Sequence, residues 1–258
     1  MAKIHPTAIV DSKAELADDV EIGPWTWIGP QVRLGPGCRI GQRVLIDGDT
    51  HLGKDCQIAN GAVIGTEPQD LKYGGEPTRV RIGDQVTIRE FATINRATGE
   101  GRATVIGNNV FLMAYSHVAH NCELEDEVIM ANVATLAGHI HIGTGAIIGG
   151  LVAIHQFIRV GRLSIIGGGS GVRQDVLPFT MATGYPCRPY GLNRVGLRRR
   201  DFSAQRIRDL RQAYRILYRS GLSVEEATRQ LKKELAESED VQYLVRFVEG
   251  TSRRGFIR

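Results

Sequence analysis

The chain has 258 residues and a formal net charge of +4 at pH 7, with 42% hydrophobic and 23% charged residues. This composition is typical of a globular protein and excludes an intrinsically disordered one. No apolar segment approaches the roughly 20 residues that span a bilayer, and the N-terminus lacks the pattern of a secretory signal, so we predict a soluble cytoplasmic protein. The four cysteines form no C-x-x-C pair or zinc-like cluster, and we therefore expect reduced thiols and no bound metal.

A six-residue repeat occupies most of the chain. Between Ile4 and Val172, 26 of the 29 positions spaced six residues apart are aliphatic. A period of six fits neither an α-helix nor a simple array of hairpins. It predicts a parallel β-helix of hexapeptide repeats, in which three hexads form one triangular coil. Residues separated by three hexads, such as Cys38 and Cys56, should then stack in the core.

Two segments interrupt this repeat and return to it in register. Residues 65–81 and 97–105 lack the aliphatic pattern, which breaks at Asp70, Glu76 and Glu100. We predict two loops that leave the wall of the coil. Loops that interrupt a strict solenoid are candidates for function, with neutral insertions as the alternative. The β-helix domain with its two loops is expected to span residues 1–190.

The C-terminal part changes character. Residues 177–194 are rich in proline and glycine and predict a linker, and residues 191–258 predict an α-helical domain. Residues 190–258 contain 16 Lys and Arg against 9 Asp and Glu, a net charge of +7. This excess indicates an acidic partner or a solvated basic helix surface. We expect no nucleic-acid binding, because no recognition motif or interleaved aromatic platform is present.

The helix signals in this domain are local. Ser203 can cap a helix over residues 204–219, and Ser223 with Glu226 three residues later forms a capping box for a second helix. A third helix is predicted to begin near Asp240 and to end near Val248.

Five of the seven histidines fall between residues 117 and 155. The period of three hexads per coil places His120, His139 and His155 on one wall near a turn, with His117 at the preceding corner. Three roles are open for these histidines: they could be structural residues, ligands of a zinc site in a non-catalytic or carbonic-anhydrase-like protein, or groups for acid–base catalysis. A neutral imidazole, with a usual pKa near 6.5, can take a proton from a hydroxyl group at neutral pH.

Seven strings resemble the UDP-N-acetylglucosamine O-acyltransferases, and together they cover essentially the whole chain. They are DLKYGGEPTRVRIGD (70–84), AYSHVAHNCELED (114–126), ATLAGHIHIG (134–143), VAIHQFIRVG (152–161), GGSGVRQDV (168–176), GLRRRDFS (196–203) and RGFIR (254–258). The resemblance implies an all-β, left-handed parallel β-helix with a C-terminal α-helical domain, assembled as a homotrimer.

The resemblance also implies an activity. Members of this family transfer a (3R)-3-hydroxyacyl group to the 3-hydroxyl of UDP-N-acetylglucosamine, the first step of lipid A biosynthesis. The donor is the 4'-phosphopantetheine thioester of acyl carrier protein, so no separate cofactor is expected. An acceptor with a 3-amino group, and the related N-acyltransferase of the same pathway, are the enzymatic alternatives. The N-acyltransferases carry an extra domain before their repeats, whereas the repeat here begins at Ile4.

Roles for individual residues follow from the resemblance alone. It implies that His120 is the general base and that the backbone N–H of Gly138 stabilises the oxyanion. Gly168 matches the position that sets acyl-chain length. The residues implied in substrate binding are Asp70, Lys72, His117, His139, His155, Gln156, Asn193 and Arg199. Contacts to acyl carrier protein are implied for Arg198, Arg200, Arg206 and Arg211.

Three positions differ from the family pattern. Asn121 follows the implied base where many relatives have Asp, and Val195 replaces an acidic residue near the ribose. Asn95 replaces a histidine near the sugar, and this substitution raises the 3-amino alternative.

Overall fold

The computed structural model describes residues 1–250 and 254–258. In this part of the chain, short strands precede four helices. The strands are β1 Lys3–Ile4, β2 Ile9–Val10, β3 Glu15–Leu16, β4 Glu21–Ile22, β5 Trp27–Ile28, β6 Arg33–Leu34, β7 Arg39–Ile40, β8 Leu45–Ile46, β9 Asp49–Leu52, β10 Gln57–Ile58, β11 Val63–Thr66, β12 Arg79–Ile82, β13 Thr87–Ile88, β14 Thr93–Asn95, β15 Ala103–Ile106, β16 Phe111–Leu112, β17 His117–Val118, β18 Glu123–Leu124, β19 Ile129–Met130, β20 Thr135–Leu136, β21 His141–Ile142, β22 Ile147–Ile148, β23 Ala153–Ile154, β24 Arg159–Val160, β25 Ile165–Ile166, β26 Gly171–Val172, β27 Thr180–Thr183 and β28 Arg188–Leu192. The helices are α1 Arg194–Arg199, α2 Ala204–Arg219, α3 Val224–Glu234 and α4 Glu239–Glu249.

Three sheets form the faces of a triangular prism. Sheet A begins with β1, β4 and β7, sheet B with β2, β5 and β8, and sheet C with β3, β6 and β9, and every third strand joins the same sheet up to β26. All pairs within these coils are parallel, and Lys3 pairs with Glu21, three hexads later in the sequence. The predicted left-handed parallel β-helix with three hexads in each regular coil is confirmed.

The repeating aliphatic side chains fill the prism. Ile46, Leu136 and Ile148, for example, are completely buried. Cys38 and Cys56 are buried free thiols in paired coils, as the period predicts. Each thiol donates to a carbonyl of the next coil, Cys38 Sγ to Gly53 O at 3.1 Å and Cys56 Sγ to Gly83 O at 3.2 Å. These cysteines therefore have a structural role.

The strand pairing shows where extra residues leave the prism. Gln57 pairs with Thr87, five hexads later instead of three, and Thr87 pairs with Phe111, four hexads later. The first of these coils is therefore longer than a regular coil by two hexads, and the second by one. Both loops are shorter than predicted, because β11, β12 and β15 extend into the predicted segments. We call residues 67–78 the first loop and residues 96–102 the second loop.

The predicted linker at residues 177–194 is wrong. Strands β27 and β28 form an antiparallel hairpin that extends sheet A, and β28 crosses the predicted domain boundary at residue 190. Thr180 and Ala182 are buried in this hairpin, so it closes the last coil. Helix α1, which the sequence reasoning missed, follows directly with Asn193 as its N-cap.

The other three helices lie where their signals predict. Ser203 caps α2, and the Ser223–Glu226 capping box begins α3. The helices pack on the end of the prism through a second apolar core that includes Phe179 and Leu210. In the described part of the chain, we find no helix with the length and apolar character needed to cross a membrane.

Candidate active site

Both loops and most of the clustered histidines occupy one corner of the prism. Each of these segments connects a strand of sheet B to a strand of sheet C. We call this the B–C corner, formed by residues 67–78, 96–102, 119–122, 137–140 and 155–158. His117 lies just outside it, in strand β17, rather than at the predicted preceding corner. Its side chain faces outward there because the inward position of the two-residue strand belongs to Val118.

The ring of His139 and the backbone of Gly138 lie close to the His120 imidazole. The imidazoles of His120 and His139 lie edge to face, with centroids 5.2 Å apart, and His139 stacks on Phe157 at 4.8 Å. A Cβ atom at Gly138 would lie only 2.5 Å from His120 Nε2. Glycine at this position therefore lets the backbone approach the His120 imidazole closely.

Asn121 determines which nitrogen of His120 is protonated. Its Oδ1 accepts hydrogen bonds from Thr98 N at 3.0 Å and Thr98 Oγ1 at 2.9 Å, and its Nδ2 donates to Thr98 O at 3.0 Å. These bonds exclude the flipped amide. Asn121 Oδ1 lies 2.8 Å from His120 Nδ1, so Nδ1 carries the ring proton and donates a hydrogen bond to this oxygen. His120 Nε2 is thus left with a lone pair, as a general base requires.

The neighbouring histidines differ in exposure. His117 is partly buried, and its Nδ1 lies 2.7 Å from Thr93 Oγ1. Burial, followed by the nearby His120, lowers the pKa of His117 below its usual range. His155 and Gln156 are exposed at the end of β23, with His155 Nδ1 3.3 Å from Gln156 O. His117 is therefore a neutral group at pH 7 that can share hydrogen bonds with a sugar.

The first loop presents its tip to solvent. Asp70 Oδ1 accepts a hydrogen bond from Lys72 N at 3.0 Å, which forms a tight turn with Leu71 and Lys72 exposed. Buried Asn95 holds the base of this loop, because its Nδ2 donates to Thr66 Oγ1 at 3.0 Å and Glu67 O at 2.9 Å. Asn95, which the resemblance places near the sugar, thus anchors the first loop through Nδ2, and its buried Oδ1 has no hydrogen-bond partner among the described residues.

The sequence reasoning missed two residues of this corner, Thr98 and Glu76. Thr98 fixes the Asn121 amide, and Glu76 joins the two loops. Their position in register-breaking loops is a signal of function. Their partners cannot be deduced from it, because the loops follow no repeat.

The remaining implied substrate residues lie at other corners. Asn193 is buried beside the corner between sheets C and A, where its Nδ2 donates to Leu163 O at 2.9 Å and its Oδ1 accepts from Gly196 N at 3.0 Å. Arg199 is exposed on α1 at the same corner. Gly168 is exposed at the corner between sheets A and B. A single chain therefore does not bring these residues to His120.

The basic residues of the helical domain fall into two groups. Arg198 and Arg211 are exposed on α1 and α2. Arg200 forms an ion pair with Glu127 at 2.6 Å, and Arg206 binds the buried carboxylate of Asp240 at 2.7 Å. Arg206 therefore has a structural partner, which the sequence reasoning did not anticipate.

A metal site is not apparent at this corner. Within residues 1–250 and 254–258, no three His, Cys, Asp or Glu side chains are grouped so that they could hold a metal ion. A groove of about 710 Å³ lies on sheet A between Lys3 and Glu90, on a different face from the histidines.

The hexapeptide-repeat prism with clustered histidines at one corner defines a class, the hexapeptide-repeat acyltransferases. The family model for the bacterial transferase hexapeptide matches residues 103–138, and that for the second domain of UDP-N-acetylglucosamine O-acyltransferase matches residues 175–257.

Relatives and solved structures then identify the family. The acyl-[acyl-carrier-protein]–UDP-N-acetylglucosamine O-acyltransferases of Thermodesulfovibrio yellowstonii and Halorhodospira halophila are 51% and 46% identical over 100% of both chains. The crystal structure of UDP-N-acetylglucosamine O-acyltransferase from Moraxella catarrhalis has a TM-score of 0.95 at 41% identity, covering 99% of each chain. The Arabidopsis enzyme has a TM-score of 0.88 at 34% identity and covers 99% of this chain and 100% of its own. The chain belongs to the UDP-N-acetylglucosamine O-acyltransferase family.

Proposed function

We propose that the protein acts in the cytoplasm and transfers a (3R)-3-hydroxyacyl group from acyl carrier protein to the 3-hydroxyl of UDP-N-acetylglucosamine, the first step of lipid A biosynthesis. The names of its full-length relatives supply the substrates. The observation that carries the chemistry is His120, whose Nδ1 is bound to Asn121 while its Nε2 keeps a lone pair.

In this reaction, His120 Nε2 takes the proton from the sugar hydroxyl as the oxygen attacks the thioester carbonyl. The carbonyl oxygen becomes an oxyanion, and the N–H of Gly138, whose backbone passes close to the imidazole, would stabilise it. Such a donor lowers a barrier by about 3–4 kcal/mol. The intermediate then expels the phosphopantetheine thiolate, which takes the proton back from His120. No separate cofactor is required.

The 3-hydroxyl is better supported as the acceptor than a 3-amino group. The support comes from the full-length relatives, which are named O-acyltransferases. The amine alternative rests on Asn95, whose Nδ2 is bound to the base of the first loop while its buried Oδ1 has no hydrogen-bond partner in the described part of the chain. His117 and His139 flank His120 and would orient the sugar ring. Asp70, Lys72, His155 and Gln156 would complete the sugar-nucleotide and donor contacts along the same corner.

A homotrimer would join the three separated parts of the site. Gly168 and Arg199 each lie at a different corner from His120, so neighbouring copies must supply them if all three act on one substrate. The outer face of sheet B and its edge also expose large apolar side chains, including Trp27, Tyr115 and Leu151. Contiguous apolar surface of this kind is usually covered by a partner, and a second copy fits here. Arg198 and Arg211 would then remain free to meet the acidic carrier protein.

The test is mass spectrometry of the products formed from UDP-N-acetylglucosamine and a series of 3-hydroxyacyl carrier proteins. We expect one ester-linked 3-hydroxyacyl product, whose chain length reports the preference of the site. A parallel reaction with a 3-amino acceptor separates the two acceptor chemistries. If no acylated sugar nucleotide forms with any donor, the proposed function is wrong.

A further inference from the structure

The two loops of the B–C corner are connected to each other and to the catalytic turn. The second loop binds the turn after His120, because Asn121 makes three hydrogen bonds to Thr98. One residue later, Gly99 N donates to Glu76 Oε1 of the first loop at 2.7 Å. A continuous path of contacts therefore links the general base to the loop that carries Asp70 and Lys72.

Glu76 is the side chain of the first loop that binds the glycine-rich turn of the second. Its second oxygen, Oε2, accepts a hydrogen bond from Gly74 N at 2.9 Å, so both carboxylate oxygens are used. Its backbone carbonyl also accepts a hydrogen bond from the Tyr73 hydroxyl at 2.9 Å. The pKa of Glu76 lies below its usual range, mainly because its carboxylate accepts the hydrogen bond from Gly99 N.

The glycines in these loops give the backbone a freedom that the hydrogen bonds of Glu76 restrict. Gly75 and Gly99 adopt positive φ values of 89° and 85°, a region that glycine reaches freely. Chain segments with such freedom need side-chain contacts to hold one conformation. Arg96 also links the loops, since its Nε donates to the Tyr73 hydroxyl and its Nη2 to Glu67 Oε1, each at 3.2 Å, and Gly101 N donates to Pro77 O at 2.9 Å.

We propose that Glu76 is a positioning residue for the sugar nucleotide: its carboxylate clasps the first loop to the second and so holds the Asp70–Lys72 turn beside the corner that contains His120. The inference rests on the proposed function. Glu76 touches no reacting atom in this scheme, so it should act on substrate binding more than on the chemical step.

The experiment compares Glu76→Ala and Glu76→Gln with the wild-type enzyme. Glutamine keeps one acceptor oxygen but turns an NH₂ group toward the other amide donor, so it preserves half of the clasp. Glu100→Ala is the matched control, because Glu100 is an exposed carboxylate of the second loop with no side-chain hydrogen bond or ion pair to the described residues. Steady-state kinetics, hydrogen–deuterium exchange of peptides from both loops, and thermal unfolding are measured for each protein.

We expect Glu76→Ala to raise the KM for UDP-N-acetylglucosamine about tenfold while kcat changes less than about threefold, since lost binding appears in KM. Exchange should rise in both loops, and the melting temperature should hold. Glu76→Gln should lie between Glu76→Ala and wild type, and Glu100→Ala should match wild type.

Two results would overturn the inference. Unchanged exchange in Glu76→Ala would show that the carboxylate does not hold the loops. Faster exchange with unchanged KM would show that the clasp does not position the substrate. If the wild-type enzyme acylates no sugar nucleotide, the proposed function fails and the positioning role fails with it, whereas the exchange data still report the clasp itself.

Discussion

The close approach of Gly138 to His120 leads to a quantitative prediction for Gly138→Ala. The new Cβ would lie 2.5 Å from Nε2 and 3.0 Å from Nδ1 of the imidazole, whereas ordinary van der Waals contacts begin at 3.4 Å. The ring must therefore retreat by about 1 Å. Gly138 lies outside the left-handed φ region, so alanine adds no backbone strain that would obscure the result.

The displacement should affect catalysis and stability in different amounts. A misplacement of about 1 Å at a catalytic group costs roughly 100-fold in rate, and we expect kcat to fall by that factor. Overpacking in a well-packed region costs about 1–3 kcal/mol in the free energy of unfolding, and the partly exposed His120 ring should place the effect at the low end.

A double-mutant cycle with His120→Ala isolates the clash. With the imidazole removed, the three atoms nearest to the new methyl group of Gly138→Ala are gone, so the second substitution should cause little further loss of activity or stability. Both kcat and the urea unfolding midpoint are measured for the four proteins. Multiplicative losses in kcat would refute the reasoning, because they would show that Gly138 acts independently of the His120 ring.

Three further predictions concern pH, stability and assembly. His117 has a lowered pKa in the folded state, so protons favour the unfolded chain as the pH falls below about 6.5, and stability should decline there. His117→Gln should reduce this decline in urea titrations between pH 7 and pH 5, and an identical slope in both proteins would contradict the assignment. Asp240→Ala leaves the guanidinium groups of Arg162 and Arg206 without their shared carboxylate and should cost about 3–5 kcal/mol of unfolding free energy. The exposed pair of Arg229 and Glu225 is the control, and Arg229→Ala should cost less than about 1 kcal/mol by the same chemical denaturation; equal costs would exclude a special role for Asp240. Leu151→Glu places a charge on the apolar edge of sheet B and should convert the proposed trimer to monomers with loss of activity, as measured by sedimentation equilibrium. Glu123→Ala on the polar sheet C should leave the mass unchanged, and an unaltered mass for Leu151→Glu would move the interface elsewhere.

The local signals of the sequence predicted much of the fold. Each coil repeats its contacts with the next coil, three hexads along the chain, so the aliphatic period alone determined the strands, their register and the stacking of Cys38 on Cys56. Helix caps are also local, because Ser223 and Glu226 interact within one turn. The hairpin formed by β27 and β28 escaped prediction, since its proline- and glycine-rich sequence becomes a strand pair only against the open edge of the last coil.

The site was predicted in part for the same reason. The six-residue period placed His120 and His139 on one wall, because residues three hexads apart occupy equivalent positions in successive coils. It did not show that Asn193 uses both ends of its amide to cap α1 and bind Leu163, or that Arg206 pairs with Asp240, because these contacts join segments 30 and 34 residues apart with no common period.

By itself, the sequence determined the prism, its coil length, the presence of two loops and the histidine wall, because aliphatic side chains that recur every six residues repeat the same contacts in each coil. The tertiary structure alone decided the orientation of the Asn121 amide, and hence the tautomer of His120, because that orientation depends on Thr98 from a loop outside the repeat. It also decided that Glu76 and Arg96 join the two loops, since hydrogen bonds between irregular segments depend on where the prism places them.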